Sequence, residues 1–270
     1  MTSMRSAVIL VGSSIECYFS LQNILKTECN VAGVVFCNQA GFKARFLYER
    51  KVFTKYGFLK RFSQILLSVL YFLRYGRDDL KYKNKCFHYI TFQLIKDELD
   101  KKNISYINTS SYSSKKSLDF LKSKSPHFLV CHTPHWISKE VRAIPKDKLI
   151  IGSHPGIVPY YRGAHSAFWC FLDRCSHQNG YSIFCIDDGV DSGPVIMKSK
   201  IKYDKNISFK ANDYLIMSKM TFSLATIAKD YSNGKKIKHS PQEHLTTSQV
   251  RQAPGIIDYL NYLKILKEKK

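Results

Sequence analysis

Five short stretches of this chain, residues 7–11, 31–37, 128–131, 149–151 and 181–186, are apolar almost without a break. They are too short for amphipathic helices and lack the polar/apolar alternation of a half-exposed strand. Such runs suit strands buried on both faces, as in a parallel sheet covered by helices. The first closes on Gly12-Ser13-Ser14, and Cys17, Leu21, Ile24 and Leu25 then recur at helical spacing before the second begins. This β-α-β opening predicts an α/β fold with a doubly wound, mostly parallel sheet and helices on both faces.

The remaining pattern fits that frame. Ile95 and Leu99 mark a helix, 105–107 a short strand, and 110–124 a helix with Leu118 and Leu121 inward. Residues 211–231 read as a long helix closing near Gly234, and 256–266 as a last one. A chain of 270 residues with 44% hydrophobic content suits one large domain, or one with a small appendage. The expected division is a catalytic-type domain over 1–234 and a short C-terminal extension over 235–270.

Residues 42–75, reaching to about 80, form an insertion relative to a minimal core of this kind. It is basic at first (Lys43, Arg45, Arg50, Lys51, Lys55, Lys60 and Arg61 against Glu49), then places Phe58, Phe62, Ile65, Leu66, Val69, Leu70 and Leu73 at helical spacing. Core packing or pairing with a second copy in a homodimer is the favoured role, because the basic residues precede the apolar helix and do not form its polar face. Contact with an acidic membrane surface and a basic lid over an anionic substrate remain open.

Forty-two Lys and Arg against 21 Asp and Glu give a net charge of +21. Half of that reading is a lysine-rich solvated surface; the other half is a field that attracts anions, with phosphates, folate glutamate tails, acidic lipid or nucleic acid as partners. Eight scattered cysteines without a CxxC pair suit reduced thiols in a cytoplasmic protein. Neither a signal peptide nor a transmembrane span is expected, since the longest apolar run, 65–73, is far below the ~20 residues a span needs.

Candidate chemistry concentrates at two strand ends. Residues 149–151 run into Gly152-Ser153-His154-Pro155-Gly156, and 181–186 into Asp187-Asp188-Gly189-Val190-Asp191-Ser192-Gly193-Pro194. Turns of this kind, each carrying a titratable group, are how α/β enzymes build sites on the rim of a sheet. Together with Ile157-Val158-Pro159-Tyr160-Tyr161-Arg162-Gly163, they closely resemble the core of the formyltransferase family that uses 10-formyltetrahydrofolate. The family pattern is Asn-x-His-Pro, then Leu-Leu-Pro-x-Tyr-Arg-Gly, then Val-Asp-x-Gly-Pro. The resemblance implies a Rossmann-like sheet, 10-formyltetrahydrofolate as co-substrate, and His154 and Asp191 as the catalytic pair. Asp191 would orient His154 or a water and accept the proton of the attacking amine; His154 would serve the oxyanion. It also implies that Trp136, Ile137, Asp187, Gly189 and Val190 form the pteridine slot, the loop contributing mainly backbone.

The family's catalytic Asn falls on Gly152. Three readings stay open: Ser153, His132 or His165 supplies the missing donor; a backbone N–H suffices because glycine lets substrate approach closely; or the chain binds without turnover. A shifted alignment is the remaining alternative. On the turn after the His-Pro-Gly segment, Arg162 is a structural residue or a phosphate contact, and His165 either faces the cleft as a substrate contact or is a surface histidine. No metal site is expected, since His132 and His135 lack a Cys or carboxylate at ligand spacing, and no G-x-S-x-G elbow marks a hydrolase.

The expected acceptor is the primary amine of a small, phosphate-bearing molecule such as a nucleotide-linked amino sugar, with a hydroxyornithine-like amine next. DNA is not expected, and tRNA is disfavoured because few residues follow the core. The competing classes are a formyltransferase-fold protein that binds folate, an anion or a partner without turnover, and a basic peripheral membrane or nucleic-acid binder.

Overall fold

The computed structural model describes residues 4–38, 57–243 and 250–268. Its centre is a seven-stranded sheet of β1 (Ala7–Gly12), β2 (Val31–Cys37), β3 (Tyr106–Thr109), β4 (Phe128–His132), β5 (Leu149–His154), β7 (Gly180–Cys185) and β8 (Val195–Lys200). The strand order is β3-β2-β1-β4-β5-β7-β8; the first five run parallel, and β7 and β8 join antiparallel. A small second sheet pairs β6 (Arg162–Gly163) with β9 (Val250–Arg251).

The apolar runs behave as double-faced strands must. Alternate side chains of a strand point to opposite faces. On β1, Ala7, Ile9 and Val11 enter one core while Val8 and Leu10 enter the other; on β4, Phe128 and Val130 separate in the same way from Leu129 and Cys131. Each fully buried Ile or Leu contributes roughly 1.5–3 kcal/mol, so both sheet faces must be covered.

One face takes α1 (Ile15–Leu25), α2 (Phe58–Phe87), α3 (Phe92–Lys101), α6 (Ser166–Leu172), α7 (Phe209–Ser232) and α8 (Ile256–Glu268). The other takes α4 (Lys115–Lys124) and the single turn α5 (Lys139–Arg142). Thr91, Ser114 and Ser208 open α3, α4 and α7 by accepting a backbone N–H of the first turn, the usual way a hydroxyl satisfies an orphan donor there.

The chain order reverses between β1 and β4, so a crevice is left at the carboxyl ends of these strands. Residues 250–268 contribute to the main core: Tyr262 stacks on Phe168 with ring centroids 5.1 Å apart, and its hydroxyl lies 2.8 Å from that of Tyr203. Gly163 shows why β6 meets β9 so closely. Its φ is +91°, and a Cβ there would stand 2.2 Å from the Arg251 carbonyl oxygen.

The inserted helix departs from expectation. Residues 42–56 of the insertion lie outside the described residues. From Phe58 onward α2 runs 30 residues, but the stripe from Phe58 to Leu73 does not pack on the core. The inward face is Gln64, Leu67, Tyr71, Asp79, Cys86 and Phe87, and the expected stripe lies on the outward side. Between residues 62 and 73 the helix carries no charge, so apolar periodicity alone allowed either face to turn inward. No described helix is long and apolar enough to cross a membrane.

Candidate active site

The crevice is a cleft of about 800 Å³. Ser14, Glu16 and Cys17 bound it beyond β1, residues 131–137 at the end of β4, and 152–155 at the end of β5; the β7–β8 loop and the first half of α7 complete it.

His154, the last residue of β5, is 6% exposed. Its Nε2 lies 2.8 Å from the Tyr161 carbonyl oxygen and its Nδ1 3.4 Å from Asp191 Oδ2. Both partners are acceptors, so a neutral ring can donate to only one of them. Asp191 has φ +52°, a left-handed conformation in which Asp and Asn are several-fold enriched. Its Oδ2 also accepts the Gly163 N–H at 3.1 Å, and Gln242 Nε2 donates to the carbonyls of Asp191 and Gly193, both at 2.8 Å. The carboxylate is thereby tied to β6, and the backbone of its loop to a residue 51 positions downstream.

Ser153 points to a different partner, its Oγ 3.4 Å from His132 Nδ1. Loss of solvent around the His132 ring pushes its pKa down to about 4, against a weaker upward pull from Glu16. The folded-state value lies below the unfolded one, so this histidine contributes stability above pH ~6.5, lost as pH falls toward 4. The full linkage is on the order of 3 kcal/mol. Urea unfolding of wild type and His132→Asn at neutral and mildly acid pH should show a wild-type loss of stability across this window that the variant lacks. Equal pH dependence of the two would remove this assignment.

Gly152 faces Ile186. A Cβ on residue 152 would stand 2.7 Å from Ile186 Cγ1 and 2.9 Å from Cδ1, and the Ile186 backbone is anchored by its N–H to the Ile150 carbonyl at 2.9 Å. Both residues line the cleft. An apolar wall therefore stands where a side chain on residue 152 would project.

The expected slot residues also come together. Trp136, Ile137, Asp187, Gly189 and Val190 all line the cleft. Ile137 is 4% exposed and Trp136 57%. Asp187 Oδ1 organises the loop by accepting from the Gly189 N–H at 3.0 Å and the Ser192 hydroxyl at 2.7 Å. Its neighbour Asp188 pairs with Arg142. Arg162 is the exception among the sequence candidates: it sits on β6 opposite Val250 and outside the residues that line the cleft.

A second His–Asp pair faces the same space. His165, at φ +56° just before α6, places Nδ1 3.3 Å from Asp213 Oδ2, while Asp213 Oδ1 accepts the Ala167 N–H at 3.3 Å. Asp213 and Lys210, one turn apart at the start of α7, both line the cleft, and the sequence analysis singled out neither. The available signal was two opposite charges three residues apart at the start of a long helix. Lys210 and His165 also line an adjoining cavity of about 500 Å³, walled by Arg61, Gln64 and Tyr71 of α2 and by Ala253 and Pro254. Lys210 Nζ stands 4.7 Å from the Tyr71 ring centroid, and Gln64 is held by a 2.8 Å bond from Nε2 to the Ala253 carbonyl. Among the described residues, no three His, Cys, Asp or Glu side chains gather as a metal ion would need.

Comparison with known proteins agrees with this geometry. A methionyl-tRNA formyltransferase of Clostridioides difficile is 28% identical over 115 residues, 42% of this chain and 37% of that protein. The match thus spans well under half of that curated relative. Two solved structures share the fold: a glycinamide ribonucleotide transformylase from Symbiobacterium toebii (TM-score 0.56, 11% identity, 90% of this chain and 96% of that one) and a sugar N-formyltransferase from Shewanella (TM-score 0.53, 11% identity, 97% and 87%). The family model for formyl transferase matches residues 83–211, a span that contains His132, Gly152, His154, His165, Asp191 and Lys210. With its doubly wound sheet and this match across the cleft, the chain is similar to the formyl transferase family over residues 83–211.

Proposed function

We propose that this protein transfers a formyl group from 10-formyltetrahydrofolate to the primary amine of a small, phosphate-bearing acceptor such as a nucleotide-linked amino sugar. The observation that carries the reading is the His154–Asp191 pair on the wall of a cleft of about 800 Å³. That volume lies in the range of small-molecule sites, and its apolar residues Ile137 and Ile186 beside the 187–190 turn suit a flat heterocycle. Trp136, Ile137, Asp187, Gly189 and Val190 would hold the pteridine, and the bound folate supplies the activated formyl group.

The chain's own groups then have three tasks. Asp191 accepts the proton that the amine loses as it attacks. His154, in the tautomer with its proton on Nδ1, offers that proton to Asp191 and then to the developing oxyanion. Ser153 with His132 adds a hydroxyl donor on the same strand end, offsetting the missing side chain at Gly152. Eight free thiols and a folate co-substrate go with a cytoplasmic setting.

The acceptor class is argued from the adjoining cavity. It shares Lys210 and His165 with the cleft and carries Arg61, so an anion seated there would leave its amine pointing toward Asp191. Lys210→Met should raise KM for such an acceptor about tenfold or more while leaving kcat within a factor of a few, the pattern of lost uniform binding. An unchanged KM across nucleotide-linked amino sugars would remove the phosphate from this reading.

The basic test is calorimetric titration with a stable 10-formyltetrahydrofolate analogue, Asp191→Ala serving as comparison. Micromolar binding, weakened in the variant because the 186–194 loop loses its tie to Gly163, supports the reading. No binding to folded protein overturns it. A second reading, a formyl transferase fold that binds without turnover, is favoured by one observation: the apolar Ile186 beside Gly152.

A further inference from the structure

We propose that the outward face of α2 seats this protein on an anionic lipid surface. On that one helix Leu59, Phe62, Val69, Leu70, Phe72 and Leu73 are between 52% and 82% exposed. The same turns already bury Leu67 and Tyr71 on the inward side, so over the uncharged stretch 62–73 the helix carries apolar side chains on both its inward and its outward side. The first turn of α8 adjoins it, the Ile256 N–H donating to Ser63 Oγ at 2.8 Å, and there Ile257 and Leu260 are 73% and 52% exposed. Contiguous apolar surface of this kind on a soluble chain marks a partner.

Charge decides which partner. Lys60 and Arg61 precede the uncharged stretch and Arg74, Arg77 and Lys81 follow it. Asp78 pairs with Lys81 at 3.4 Å, which cancels both charges and leaves Arg74 and Arg77 as the cations after the stretch, and Asp79 is buried and accepts from Ser208. A second copy docked through the same face would bring two chains of +21 and two sets of these cations together. Acidic headgroups instead supply the opposite charge, at about 1 kcal/mol per basic residue near the surface. A helix with cations flanking an apolar face, but unable to span, lies in the interface plane with that face roughly 5–10 Å deep. The same helix walls the cavity beside the cleft, so lipid docking and acceptor access would fall on one element.

The test is co-sedimentation of the full chain with vesicles of phosphatidylglycerol and phosphatidylcholine in equal parts, against phosphatidylcholine alone. Wild type should partition to the acidic vesicles, more weakly at high salt. The triple variant L59S/L70S/L73S should lose about tenfold or more of that partitioning. It should unfold within a few degrees of wild type and bind the folate analogue equally, since all three side chains are exposed. A second variant, R74Q/R77Q, keeps the apolar face and should lose binding to acidic vesicles specifically. Absence of wild-type partitioning, or equal partitioning by wild type and both variants, overturns the proposal. So does a tight dimer in sedimentation equilibrium that the triple variant abolishes while vesicles bind nothing, which would assign the face to a second copy.

Discussion

Asp191→Asn is expected to lower formyl transfer by about 10²–10⁴-fold, the usual contribution of a positioned acid–base group, with the fold intact. Asparagine tolerates the left-handed backbone at φ +52° and its amide oxygen can still accept the Gly163 N–H, now at 3.1 Å from Oδ2. What it cannot do is take a proton from the amine, or face His154 Nδ1 with a charge at 3.4 Å. Binding of the folate analogue should therefore persist in Asp191→Asn, whereas Asp191→Ala loosens the loop. The loss should appear in kcat under saturating donor and acceptor, measured by single-turnover kinetics. A loss of less than about tenfold would move the proton acceptor elsewhere, with Asp213, beside His165, the next group to replace.

Gly152→Asn tests the departure from the family pattern, and the structure changes how that test must be built. Alone, the substitution forces a side chain against Ile186, whose Cγ1 would be 2.7 Å from the new Cβ. Overpacking of this kind costs about 1–3 kcal/mol, so the single variant should unfold earlier and transfer no faster. Pairing it with Ile186→Ala removes the contact and should restore most of the stability. On the reading that Ser153 and His132 act in place of the missing amide, the paired variant gains little in rate. A gain of about 10²–10³-fold, the worth of one oxyanion donor, would instead identify a site that binds but has lost turnover. The single variant cannot separate these outcomes, because strain and a missing donor both leave it slow.

Much of the fold was legible because burial on both faces leaves a local mark. Residues 7–11, 31–37 and 128–131 carry no alternation, and each became a strand whose neighbours point into opposite cores. The turn chemistry was legible for a similar reason. Gly152-Ser153-His154-Pro155 and Val190-Asp191-Ser192-Gly193-Pro194 are compact, breaker-rich segments after apolar runs, and they brought His154 and Asp191 to one cleft. Arg162 was legible only as a structural residue or an anion contact because adjacency on a turn does not fix direction, and pairing of β6 with β9 places it outside the cleft lining.

By itself, then, the sequence determined the strands, the doubly wound class and the two turns that bear His154 and Asp191, since those depend on patterns spanning only a few residues. Tertiary structure alone decided who meets whom. Asp213 reaches His165 across 48 residues, Lys210 joins the cleft to a second cavity, and Ile186 fills the space beside Gly152. It also decided that α2 turns Leu67 and Tyr71 inward and Leu70 and Leu73 outward. Local pattern records whether a residue prefers burial, but not which surface is available to bury it; that is set by how distant elements cross and pack.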